Sequence, residues 1–321
     1  MPTWGQILNE VRQRSTEGDP HPFDTIRNKY CRELQLHTNR NTVIYASRWT
    51  SGDAPPNLIS VNDEDVHGFM EALAGLQGST LDLILHTGGG SAEATDAIVS
   101  YIRQKFSDIR IIIPQAAMSA GTMFACAGNK ILMGRQSSIG PIDPQFILQT
   151  SVGIQSIPAH AIIEQFKKAQ DDCRTNPANL NSWLPMLSQY GPALLVRCQD
   201  QIDFGRELVK SWLTEYMFNG ESSEFPSTIS EYLSNHSNFK THGKHINALT
   251  ARELGLKIDL LEDDQVLQDK VLSAFHSTVI TFGSSTAAKI IANHNGNCFI
   301  KNFQPIIQQQ IRQQRQMLPA N

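Results

Sequence analysis

No stretch of this 321-residue chain approaches the ~20 consecutive apolar residues that cross a bilayer, so a membrane span is not expected. The start, Met1 to Gln13, lacks the basic and apolar regions of a secretory leader and reads as a short amphipathic helix. Charge is sparse too: charged residues make up 18%, and the formal net charge is -4. With no basic stripe interleaved with aromatics, nucleic acid is not an expected partner. The cysteines (Cys31, Cys126, Cys173, Cys198, Cys298) lie far apart without a Cys-x-x-Cys pair, and the histidines are scattered. A zinc or other metal site is therefore not expected, and the thiols fit a reduced, cytoplasmic protein. The glycine run Gly88 to Gly90 lacks the Gly-Lys-Ser/Thr ending of a P-loop and the spacing of a dinucleotide fingerprint, so no nucleotide cofactor is expected.

Two strand-to-helix turns are present instead. Leu81 to His86 is a short apolar run that suits a strand buried on both faces of a parallel sheet, and it runs into Gly88-Gly89-Gly90. Glycine there permits positive φ and close approach of a backbone N–H to a bound carbonyl oxygen. From Ser91, the spacing of Ala94, Ala97, Ile98, Tyr101 and Ile102 predicts a helix, whose N-terminus favours negative charge. Asp108 to Pro114 repeats the device, with Ile109 and Ile111 to Ile113 as strand and a small-residue helix starting near Ser119. A right-handed crossover between neighbouring strands brings both turns to one sheet edge. Glycine amides and a hydroxyl would then meet, the layout of a nucleophile beside an oxyanion hole. Each turn has a plainer reading, a tight turn for the glycines and an N-cap for Ser119.

The residues Leu85-His-Thr-Gly-Gly-Gly-Ser91, Pro114-Gln-Ala-Ala-Met-Ser-Ala-Gly121 and Met133-Gly-Arg-Gln-Ser-Ser-Ile-Gly-Pro-Ile-Asp-Pro-Gln145 resemble the serine peptidases of the Clp and signal-peptide-peptidase superfamily, which share a fold with crotonases. The nearest branch is the serine dehydrogenase proteinase family, close to signal peptide peptidase A. Thr241 to Ile246 and Leu249 to Leu256 look like the segment that closes this fold, and the likeness runs from about residue 40 to 260. The resemblance implies an α/β fold, a Clp/crotonase-like parallel sheet flanked by helices. It also implies a peptide-bond hydrolase with Ser119 as nucleophile and the amides of Gly89 or Gly90 and of Ala120 as oxyanion hole. A peptide or protein substrate, a homo-oligomer and the absence of a cofactor follow from the same likeness.

A serine hydroxyl needs a base. Clp-type peptidases use a histidine where this chain reads Ser138-Ile-Gly-Pro-Ile-Asp143, and no histidine stands there. The Ser-Ile-Gly pattern is similar to the signal-peptide-peptidase branch, whose base is a lysine further along. The matching segment, Pro158 to Lys168, predicts a helix with Ala159, Ile162, Ile163 and Phe166 inward and Lys167 flanking that face. Lys167 is the favoured base, with Lys168, His160 and His242 as alternatives and Lys244 as a further candidate. Asp143, before Pro144, reads as a turn residue.

The expected organisation is a helical lead-in (1–40), a peptidase domain (41–265) with a helical insert at about 148–238, and a C-terminal extension (266–321) with a glutamine-rich tail from Gln304 to Gln316. Within the insert, Leu194, Leu195, Cys198 and Ile202 mark a long helix near Pro192. In the extension, Thr278 to Phe282 reads as a strand and Ala287 to Asn293 as a short helix. Two other functions stay open: a crotonase-like acyl-thioester enzyme using the same oxyanion hole, and a non-catalytic scaffold of the same fold.

Overall fold

The computed structural model describes residues 3–303. α1 (Trp4–Thr16) opens with a reciprocal cap, in which Gln6 N–H donates to the Thr3 hydroxyl and Thr3 N–H donates to the Gln6 side chain. α2 (Pro22–Thr38) starts on a proline and ends where Asn39 turns left-handed. β1 (Asn41–Ser47), α3 (Pro56–Ile59), α4 (Asp65–Leu73) and β2 (Thr80–His86) follow. Next come α5 (Ala92–Arg103), β3 (Asp108–Ile113), β4 (Ala116–Ala117), α6 (Ala120–Cys126), β5 (Lys130–Met133) and β6 (Ser138–Ile139). A hairpin of β7 (Gln145–Thr150) and β8 (Gly153–Pro158) leads into α7 (Ala159–Thr175), α8 (Leu180–Leu187), α9 (Leu194–Trp212) and α10 (Phe225–Ser234). The chain returns through β9 (Ile246–Asn247), α11 (Ala248–Glu253) and β10 (Ile258–Leu260). It finishes its described part with α12 (Gln265–Ser284), β11 (Ala287–Asn293) and β12 (Cys298–Asn302).

The main sheet has seven strands in the order β10-β5-β3-β2-β1-β11-β12. The first five are parallel, and β11 and β12 are antiparallel additions beyond β1. Side chains alternate across it: Tyr45, Leu83, Ile111 and Met133 enter one core, Ile44, Ile84, Ile112 and Leu132 the other. Burial on both faces explains why these strands read as continuous apolar runs. α4, α5 and α6 pack into the first core; α1, α2 and α12 supply Ile7, Val11, Ile26, Leu34, Val271 and Ala274 to the second. The architecture is the expected mixed α/β one, a parallel-rich sheet flanked by helices.

The residues of the helical insert carry their own small core of Ala159, Ile162, Leu194, Cys198 and Ile202. That is the helix spacing seen in the sequence, used as packing. Two expectations for the C-terminal part are reversed. Thr278 to Phe282 is helical: it continues the largely buried α12, where the Thr278 and Thr281 hydroxyls are satisfied by the carbonyls of Ala274 and Ser277 one turn back. Ala287 to Asn293 is a strand: all seven positions are buried between β1 and β12, so neighbours on both sides override the helix preference of its alanines. The glutamine-rich segment Gln304 to Gln316 lies outside the described residues.

Candidate active site

The two turns are stitched together by backbone. Thr87 N–H donates to Ala116 O at 3.1 Å and Met118 N–H donates to Thr87 O at 2.9 Å, extending the contact between strand ends past β2 and β3. Gly89 sits at φ 103°, and a Cβ there would meet Met118 O and Ser119 Cβ at 2.7 Å. Only glycine lets the first turn lie against the second this closely.

Ser119 has φ 54° and ψ -121°, a region that L-residues rarely occupy. Such strain persists where surrounding structure fixes it, and it gathers at functional sites. The Ser119 side chain makes no capping bond to α6, so the N-cap reading does not describe it. The half-buried Ser119 instead lines a cavity of about 510 Å³ with Gly88, Gly89, Gly90 and Ala120. Among the described residues, no protein acceptor is recorded for the N–H of Gly90 or of Ala120. The Gly89 N–H is engaged by the Thr87 hydroxyl at 3.1 Å. The loop is walled by Val61, whose N–H donates to Gly89 O and whose carbonyl accepts from Ser91 N–H, both at 2.9 Å. A Cβ on Gly90 would meet Val61 N and O at 2.3 Å.

Lys167 and Lys168 are exposed on α7, and neither lines this cavity. Lys244 is exposed as well and does not line it. The ring of His160 bonds Ser234 O through Nε2 at 3.1 Å, a packing role. His242 is the one residue among the candidate bases that reaches the cavity shared with Ser119. Its Nδ1 lies 2.7 Å from Asp143 Oδ1, and His236 Nδ1 lies 2.9 Å from Asp143 Oδ2. The Asp143 side chain is 1% exposed. A carboxylate accepts, so Nδ1 of His242 carries the hydrogen, and Nε2 is the ring nitrogen left free of Asp143. Asp143, read from sequence as a turn residue, is thus a buried anchor for two histidines. Nothing local in the sequence marks it: its partners lie 93 and 99 residues away.

Other reactive groups are set aside by their surroundings. Burial pushes His86 down to about 4, and the ring, edge-on to Phe275, stays neutral. Burial pushes the Cys31 and Cys126 thiols up to about 12, away from thiolate chemistry. Among the described residues no cluster of His, Cys, Asp or Glu could hold a metal, and no helix is long and apolar enough to cross a membrane.

Residues 58–177 match the family model of ClpP-like SDH-type serine proteinases. The match covers less than half of the chain. It carries the glycine turn, Ser119 and Asp143, while His242 lies outside it. Two uncharacterized proteins of Methanocaldococcus jannaschii are similar. One is 33% identical over 124 residues, which is 37% of this chain and 43% of the relative. The other is 36% identical over 86 residues, 27% of each. The matched region thus spans less than half the length of these curated relatives. Among solved structures, a variant of the 1510-N membrane-bound stomatin-specific protease aligns over 59% of this chain and 68% of its own, with TM-score 0.37 and 18% identity. A second variant of that protease, in complex with a substrate peptide, aligns over 70% and 74%, with TM-score 0.35 and 19% identity.

Proposed function

We propose that this chain is a serine peptidase in which Ser119 is the nucleophile, His242 the general base and Asp143 its orienting carboxylate. The N–H groups of Gly90 and Ala120 form the oxyanion hole. As Ser119 Oγ attacks a substrate carbonyl carbon, its proton passes to His242 Nε2 and the carbonyl oxygen takes the negative charge between the two amides. Collapse expels the leaving amine, which takes the proton from the imidazolium, and water then cleaves the acyl-serine by the same route. Each preorganised donor of this type is worth ~3–4 kcal/mol of transition-state stabilisation. The observation that carries the reading is the shared cavity: Ser119 and His242 both line it, and the buried Asp143 holds the far nitrogen of the ring. No comparable contact supports Lys167 as base, the role implied by the signal-peptide-peptidase likeness.

A fluorophosphonate probe tests this against the other two functions. Labelling at Ser119 that is lost in His242→Ala, together with Ser119-dependent turnover of an unfolded protein substrate, is the expected result. An unlabelled Ser119 in the folded wild-type chain would return the choice to a scaffold or an acyl-thioester enzyme, and coenzyme A binding by calorimetry separates those two.

The same proposal includes a homo-oligomer and a cytoplasmic setting. Ile147, Val152 and Ile154 on the β7 and β8 hairpin are 76%, 81% and 71% exposed, an apolar surface suited to a neighbouring copy. A monomer by light scattering at assay concentration would remove that part.

A further inference from the structure

Two lysines lie almost wholly inside this protein, side by side on the antiparallel strands that lie beyond the family-matched segment. Lys289 on β11 and Lys301 on β12 are direct cross-strand partners, with side chains 0% and 5% exposed. Like charges in this arrangement repel. They are held by one short stretch of chain: Lys289 Nζ donates to both Asp65 oxygens and to Ser60 O, each at 2.7 Å. Lys301 Nζ donates to Asn62 Oδ1 at 3.0 Å and lies 2.9 Å from Glu64 and 3.3 Å from Asp65. Tyr45 OH, at 2.8 Å, and Asn62 N–H, at 3.1 Å, complete the shell of Asp65.

Every one of these grips falls between residues 60 and 65, and Val61 is the residue that walls the glycine turn. Its two backbone bonds hold Gly89 and Ser91, the residues on either side of Gly90, which lines the cavity. Ser60, whose carbonyl Lys289 holds, lines that cavity itself. Burying charge is costly, and a buried ion pair is often no more stabilising than an apolar substitute, so packing does not account for two such lysines. Burial pushes the Lys289 amine down to about 8 and Asp65 opposes the shift, which leaves it charged at neutral pH.

We propose that Lys289 and Lys301 are positioning residues: a two-lysine clamp that sets Val61 against Gly89 to Ser91 and so holds the Gly90 amide where an oxyanion forms. Its activity readout rests on the peptidase reading above; its structural readout does not. The test is the full-length chain carrying Lys289→Met with Asp65→Asn, which removes both charges together and leaves no buried carboxylate unpaired. Hydrogen exchange by mass spectrometry is expected to rise at least tenfold in peptides covering residues 60–62 and 88–91, with the rest of the sheet unchanged. Turnover of a peptide substrate is expected to fall about thirtyfold in kcat with KM within about twofold, because the lost contact is to the transition state. Unchanged exchange in both peptides overturns the clamp whether or not the wild type is a peptidase. Raised exchange with unchanged kcat, in a wild type whose turnover depends on Ser119, overturns the link to the oxyanion site. An inactive wild type sinks the peptidase reading, while exchange still decides the clamp. Should the double variant not fold, Lys301→Met keeps the Lys289 grip on Asp65 and Ser60 and removes only the Lys301 contacts to Asn62, Asp65 and the already solvated Glu64. It is expected to give the same changes at about threefold, and wild-type exchange in it overturns the proposal equally.

Discussion

The glycine turn with Ser119 and the Asp143-bound His242 line one cavity, yet they are built differently. The turns are local, each made from a strand, a few small residues and a helix start within about a dozen positions of sequence. The histidine anchor is assembled from Asp143 and from rings 93 and 99 residues downstream. Oxyanion donors can be backbone groups and a serine can sit on the same kind of tight turn, and both leave a local sequence signature. A base needs only the right side chain in the right place, and tertiary structure supplies the place.

The sharpest break of that comparison comes from removing the distant half. His242→Ala is expected to cost at least about 10³-fold in kcat/KM, as much as Ser119→Ala within the assay background, because residues acting as one unit lose their effects together. Asp143→Asn is expected to come close behind, since it frees the ring to adopt the wrong tautomer. Both are read as turnover of an unfolded protein with circular dichroism as the folding control. A His242→Ala enzyme within tenfold of wild type would mean that the distant half contributes no base.

How much of this was legible follows the same division. The strands from Leu81 and Asp108, the glycine turn, Ser119 and the α/β architecture could all be read, because burial on both faces and turn chemistry act on neighbouring residues. Asp143 looked like a turn residue because only its neighbour Pro144 was visible. The likeness to the signal-peptide-peptidase branch pointed to Lys167, and the exposure of that lysine depends on how the insert helices fold back. β11 was hidden for a related reason: its alanines favour helix, and only pairing with β1 and β12 decides otherwise.

A smaller break comes from within the local half. Gly90→Ala would put a Cβ 2.3 Å from Val61 N and O, at a glycine with φ 157°. The turn must shift and take the amide with it, so kcat is expected to fall by about 10² to 10³ with a smaller change in KM, roughly the loss of one oxyanion donor. Unaltered kcat would show that this amide is not used.

His86 sharpens the contrast between two histidines, since it sits inside the legible motif and is not a candidate base. Burial holds it at about 4 in the folded chain, against an ordinary value of 6.5 when unfolded. Between those values the unfolded chain binds more protons, so stability rises with pH and is lost as pH falls from 6.5 towards 4. The full effect is roughly 3 kcal/mol below that window. Urea unfolding of wild type and His86→Gln at pH 7 and pH 4 measures it as a pH slope that the variant lacks. Equal slopes would place the acid sensitivity elsewhere.

The smallest expected effect bears most directly on what the sequence alone implied. Lys167→Ala should leave kcat and KM within about twofold of wild type. The side chain is exposed on α7 and does not line the cavity of Ser119, and an exposed residue outside the machinery usually contributes little. A base must come within hydrogen-bond reach of the serine, and among the candidate bases it is His242 that lines the cavity of Ser119. If Lys167→Ala instead abolished turnover while His242→Ala did not, the insert would have to close over the site during catalysis. The base would then be legible after all, in the segment after Pro158 where the family likeness puts it.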